Sequence, residues 1–138
     1  MSEKNGQVII SNGVVRKNGK ILMVKRKREW DEQAHGKWEL PGGKVEFGEK
    51  PKETVVREIK EETGFKTREP ELIPETYTHL WEYENRKTHL VILSYTCRLD
   101  GGSKDCSDKN VMDVEWLSME EIRNKDCLPG TMEIIKKV

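Results

Sequence analysis

PGGKVEFGEKPKETVVREIKEETGF, residues 41–65, is the stretch whose reading decides the fold. Pro51 suits a first helical turn, where its missing N–H has no partner to lose. Val55 and Ile59, with Val56 beside them, repeat at helical spacing. Gly64 stands where a left-handed C-terminal cap belongs. Together these predict a helix from Pro51 to Thr63. On that helix Glu58, Glu61 and Glu62 fall at i, i+3 and i+4, with Cβ atoms about 5–6 Å apart on one face. Like charges at that spacing destabilise a helix, and the last turn favours cations, not anions. Both local costs point to a compensating positive charge outside the helix. A solvated acidic face, relieved by Arg57, Lys60 and Lys66, is one reading. A platform for a divalent cation is the other, because Mg²⁺ takes carboxylate oxygens, waters and phosphates. Just upstream, Pro41-Gly42-Gly43 predicts a sharp turn. Its bare backbone would let a carbonyl approach a metal, or an amide approach a phosphate.

Working outward, Gln7 to Val15 is apolar and β-branched and predicts a strand. Asn18-Gly19 signals a tight hairpin, since both central residues of a type I′ turn need positive φ. Lys20 to Lys25 returns as the second strand. Glu29 to Lys37 reads as a loop, Trp38-Glu39-Leu40 as a short extended segment, and Lys44 to Phe47 as a short alternating one. Beyond the helix, Leu72 to Trp81 and Thr88 to Leu99 predict strands joined by a turn at Glu84-Asn85-Arg86-Lys87. Asp100 to Ser103, and the polar run on to Asn110, read as loop. Val111 to Leu117 alternates into a last strand. Ser118, with Glu121 three residues on, makes a capping box for a short helix. Gly130 to Val138 predicts another. The sum is a mixed α+β chain with strands predominating around one strong helix.

The 138 residues suit one domain, taken as residues 1–138. Hydrophobic residues are 34% and charged residues 36%, a polar balance, but the formal net charge is zero and the apolar positions are patterned, which excludes the disordered class. A zero balance also argues against a dedicated nucleic-acid surface, while leaving room for a phosphate-bearing small molecule. Cys97, Cys106 and Cys127 are odd in number and lack metal-ligand spacing, so they imply neither a disulfide framework nor zinc. The polar start, Met1 to Gly6, is unlike a signal peptide. The longest aliphatic run, Leu90-Val91-Ile92-Leu93, is far short of a membrane span. These features together set the expectation of a cytoplasmic protein with no membrane contact.

From Gly43 the chain reads Gly43, five residues, Glu49, seven residues, Arg57-Glu58, Ile59, Lys60, Glu61-Glu62, Thr63, Gly64, Phe65. This resembles the Nudix box with every fixed position filled. The lead-in Trp38 to Gly43, and the late Val114-Glu115-Trp116-Leu117-Ser118 followed by Glu120-Glu121-Ile122, resemble the same family. The likeness covers about Gln7 to Arg123. It implies an α/β/α sandwich with a mixed sheet between helices. It also implies hydrolysis of a nucleoside diphosphate linked to another moiety, using Mg²⁺ or Mn²⁺.

The site residues implied by the resemblance follow the motif. Glu58, Glu61 and Glu62 would bind metal, with the Gly42 carbonyl as a further ligand. Glu58, Glu61 and Arg57 would form the catalytic set. Glu58 is the general base in some members, and Arg57 orients the glutamates through its planar fork. Glu49 would partner Arg57 or the start of the helix. Many members carry an acid six positions before the late tryptophan. Here that position is Asn110, so Asp108 or Asp113 would have to replace it. Arg26 and Lys44 are candidates for holding phosphates, or else surface cations. Trp30 and Trp81 are candidates for stacking on a nucleobase, or else packing residues. Trp38 and Trp116 are expected in packing. Glu62→Gln is expected to cut turnover without unfolding the chain. The substrate expectation leans to a nucleoside triphosphate, damaged ones included, cleaved to monophosphate and pyrophosphate, because the chain is short. ADP-ribose or another such diphosphate, and a non-catalytic nucleotide-binding module, are the alternatives. The molecule would be a monomer or a homodimer.

Overall fold

A computed structural model describes residues 4–138; the polar start at Met1-Ser2-Glu3 lies outside them. The elements run β1 (Lys4–Lys17), β2 (Lys20–Arg26), β3 (Trp38–Glu39), β4 (Gly42–Lys44), α1 (Pro51–Thr63) and β5 (Phe65–Leu72). They continue with β6 (Tyr77–Tyr83), β7 (Arg86–Gly102), β8 (Val111–Leu117), α2 (Met119–Arg123) and α3 (Thr131–Ile135).

The sheet is mixed. β1 lies parallel to β7 from Lys4↔Arg86 to Val15↔Cys97. Antiparallel pairings add β4 to β1, β5 and β6 to β7, and β3 and β8 to β2. The β1–β2 hairpin turns at Asn18 and Gly19 with φ of 51° and 76°, as the type I′ reading requires.

Each face of the sheet buries its own core. On one side Val55 and Ile59 of α1 pack on Val15, Leu22, Val24, Tyr95, Cys97 and Val114. Gly13 lets the helix come close, since a Cβ there would meet Ile59, Val55 and the Cys97 sulfur. On the other side Ile122 of α2 and Ile134 and Ile135 of α3 cover Val14, Ile21, Met23, Trp38, Ile92 and Leu117. Helices thus sandwich a mixed sheet, as expected. Among the described residues no helix is long and apolar enough to cross a membrane.

The predicted α1 matches residue for residue, down to Gly64 in the left-handed region at φ 83°. β8 and the Ser118 capping box also stand as read. Three expectations need correction. Pro41-Gly42-Gly43 is not simply a turn: Gly42, Gly43 and Lys44 form β4, paired with Asn12, Ser11 and Ile10. The strand expected from Leu72 starts only at Tyr77, while β5 occupies Phe65–Leu72, a segment the sequence left unassigned. That strand is charge-rich and bulged, with Glu69 at φ 50°, so it carries little of the alternation that marks a strand. Finally, β7 runs on through Asp100 and Gly101 to Gly102, where a loop was expected.

Candidate active site

The second half of α1 carries the glutamates, and two arginines hold them. Arg57 donates from Nε and Nη2 to Glu49 at 2.8 and 3.0 Å. Its Nη1 donates to Glu58 at 2.9 Å and to Glu61 at 3.2 Å. One planar fork therefore ties the loop before α1 to two carboxylates on it. Glu49 also accepts from the Thr54 hydroxyl at 2.7 Å, which fixes the start of the helix as well.

Glu62 faces the other way and is buried. It accepts the Gly42 N–H at 3.0 Å and Arg26 Nη1 at 2.9 Å. Arg26 is buried too. It spends Nε on Glu39 and shares Nη1 with the Asn110 carbonyl. One guanidinium thus sits between two carboxylates, Glu39 and Glu62, and Glu39 was not singled out from the sequence. Burial pushes the Glu62 carboxyl up, against the pull of Arg26. Burial also raises Glu58, with Arg57 opposing and Glu61 and Asp108 reinforcing.

Gly42 and Gly43 have no positive φ. Their need for glycine is close approach. A side chain on Gly43 would run into the Glu58 carboxylate, and one on Gly42 into Ser11 and Asn12.

A cavity of about 460 Å³ brings Gly42, Glu58, Glu62, Arg26, Lys44, Trp30 and Trp81 together. Its floor is apolar, from Val8, Ile10, Leu90 and Ile92. Glu61 and Arg57 sit beside the cavity, not on its lining, with Glu61 exposed and turned to Arg57. Trp81 is buried, edge-on to His79 at 4.6 Å, so it is a wall. Trp30 is 66% exposed and stands at the rim. The Arg28 and Arg86 guanidiniums both lie 5.6 Å from its ring, and Arg86 lies 5.0 Å from Tyr83. The Tyr83 hydroxyl donates to the buried Asp31 at 2.7 Å, tying the loop after β2 to the β6–β7 hairpin. Tyr83, Arg28 and Arg86 were not marked as site residues; Arg28 is two residues from Trp30, whereas Tyr83 and Arg86 come to it across the fold, through this tie. Trp38 and Trp116 pack as expected, Trp38 in the core and Trp116 edge-on to Phe65 at 5.2 Å.

Of the two candidate acids, Asp113 pairs with Lys104 at 3.5 Å. Asp108 accepts from the Asn110 N–H and is close enough to Glu58 to raise its carboxyl.

Among the described residues no three acidic, histidine or cysteine side chains converge tightly enough to hold a metal unaided. The donors nevertheless suit a hard cation. They are the carboxylates of Glu58 and Glu62 beside bare glycine backbone, at a cavity wide enough for waters and phosphates to complete the shell.

A family model for the NUDIX domain matches residues 8–137. An ADP-ribose pyrophosphatase from Methanocaldococcus jannaschii is 37% identical over 80% of this chain, which spans 62% of that relative's length. The 8-oxo-dGTP diphosphatase of Escherichia coli is 29% identical over 94% of each chain. A MutT NUDIX hydrolase from Burkholderia pseudomallei has the same fold, with a TM-score of 0.81 at 24% identity, over 96% of this chain and 98% of that one.

Proposed function

The chain belongs to the NUDIX domain family of hydrolases, which act on pyrophosphate bonds of nucleotide derivatives, and from that premise we propose that it cleaves a nucleoside triphosphate to the monophosphate and pyrophosphate with Mg²⁺. We read residues 1–138 as a single domain that carries the site. The observation that carries the reading is the meeting of Glu58 and Glu62 with Gly42 and Gly43 at one end of a cavity whose other end is an aromatic rim. Support for a triphosphate over ADP-ribose comes from the relative matched along nearly its whole length, the Escherichia coli diphosphatase.

Glu58, Glu61 and Glu62 would hold the cation with the Gly42 carbonyl. When bound, the cation supplies charge stabilisation at the phosphoryl oxygens and acidifies an attacking water. Glu58 is the favoured base, because burial and its acidic neighbours give it more appetite for a proton than an ordinary carboxylate has. Asp108 serves as the further acid that Asn110 does not supply. Arg57 positions Glu58 and Glu61. Arg26 positions Glu62 and lines the cavity, where Lys44 can also meet a phosphate. Trp30 offers its face to the base, and Trp81 walls the pocket.

The test is hydrolysis of a panel with and without Mg²⁺ or Mn²⁺, products resolved by chromatography. The panel holds ordinary and oxidised nucleoside triphosphates, ADP-ribose and nucleotide sugars. Metal-dependent release of pyrophosphate and a monophosphate supports the reading, with Glu58→Gln slower by about 10²-fold or more. Cleavage of ADP-ribose alone would replace the substrate, and no cleavage by the folded protein would replace the activity.

A further inference from the structure

Asn12 sits on β1 at the inner end of the apolar floor, after Val8 and Ile10, where the floor meets the glycines of β4. It is 8% exposed, an unusual place for an amide. Its neighbour on β7 at the same register is Ser94, which is 1% exposed. The Ser94 hydroxyl donates to Asn12 Oδ1 at 2.6 Å. That separation suits O–H···O, with the amide oxygen turned to Ser94. The other end, Nδ2, has no hydrogen-bond partner among the described residues. It is not among the fully enclosed polar atoms that lack one, and Asn12 lines the cavity. An amide with one end locked and the other left without a protein partner is placed to donate to a ligand.

We propose that Asn12 is a specificity residue that donates from Nδ2 to a keto oxygen of the substrate's base, so that keto-bearing bases are favoured over amino-bearing ones; this rests on the nucleotide reading above. Placement carries the first half. The phosphates belong at the charged end, beside Gly42, Gly43 and Glu58, and the flat base belongs on Val8, Ile10, Leu90 and Ile92. Asn12 borders that apolar floor, where a base edge can reach it. Polarity carries the second half. Because Oδ1 is turned to Ser94, Nδ2 is the end left for a ligand, and it offers hydrogens only. A base with an oxygen there pairs, and one with an amino group sets donor against donor. A site built for one hydrogen-bonding pattern rejects its opposite more strongly than an apolar pocket rejects a misfit.

The experiment compares hypoxanthine with adenine, which differ in this respect and little in size. Hydrolysis of inosine and adenosine triphosphates is measured alongside calorimetric binding of the corresponding monophosphates. The wild type is expected to favour inosine about tenfold or more in kcat/KM, and inosine monophosphate similarly in binding. The double variant Asn12→Leu/Ser94→Ala removes both partners, and the preference should fall to within twofold while the melting temperature holds. Ser94→Ala alone frees the amide to turn, and should relax the preference by admitting adenine. No preference in the wild type, or a preference that survives the double variant, overturns the proposal. Hydrolysis of neither triphosphate, with inosine monophosphate still bound better, would overturn the activity and leave the Asn12 assignment standing. Binding of neither monophosphate overturns it.

Discussion

Gly42 and Gly43 are adjacent, and each excludes a side chain for a different reason. The Cβ of an alanine at 42 would collide with the Ser11 carbonyl and the Asn12 backbone, neither of which can swing aside. At 43 it would meet only the far end of the Glu58 side chain. Gly42→Ala should therefore lose about 1–3 kcal/mol of stability, the usual cost of overpacking, whereas Gly43→Ala should melt close to the parent yet lose most of its turnover. Melting curves beside kcat separate the two, and equal melts would refute the distinction. Glu62 also needs reinterpretation. From the sequence it is one of three glutamates on one helix face, and Glu62→Gln is expected to cut turnover without unfolding the chain. Its burial against Arg26 and the Gly42 N–H makes that substitution cost about 1–3 kcal/mol as well as activity, which denaturant titration would reveal. Box residues such as Glu58 and Arg57 were legible because local spacing places them. Glu39 was not, because its partner Arg26 reaches it only across the β2–β3 pairing.

At the scale of elements, α1 was readable because proline, apolar stripe and glycine cap all act within one stretch of chain. β5 was not, because its pairing with β7 overrides a composition that favours no strand. The loop before α1 has its own pH signature. The Arg57 hydrogen bond, aided by Thr54, holds Glu49 down to about 2 from its ordinary 4.5. A lowered carboxylate contributes stability that is complete above about pH 4.5 and is lost as the pH falls toward 2. Glu49→Gln should therefore show a shallower loss of stability between those limits than the parent. Acid melts of the two proteins make the comparison, and parallel curves would mean that Arg57 gains nothing from this partner.

Taken whole, the molecule is two cores on one sheet, and its thiols report on how tightly they close. Cys106 is exposed, Cys127 half-buried, and Cys97 lies beneath α1 with its thiol pushed up to about 12 by burial. A thiol reagent at pH 8 should titrate Cys106 first, Cys127 more slowly, and Cys97 only with denaturant. Rapid reaction of all three would show that α1 lifts from the sheet. The layers of the sandwich were legible only through the family likeness, since nothing local to β1 or β7 announces that they run side by side. That pairing has a consequence for synthesis. Gln7 lies opposite His89, 82 residues later. A nascent chain leaving the ribosome must therefore carry its first strand with one edge unclaimed until most of the protein has emerged. The β1–β2 hairpin can form early, but the edge that β7 will cover stays open to strangers. Slowing translation between residues 20 and 86 should lengthen that exposure and raise aggregation, and a chaperone that shields β-edges should act in that interval.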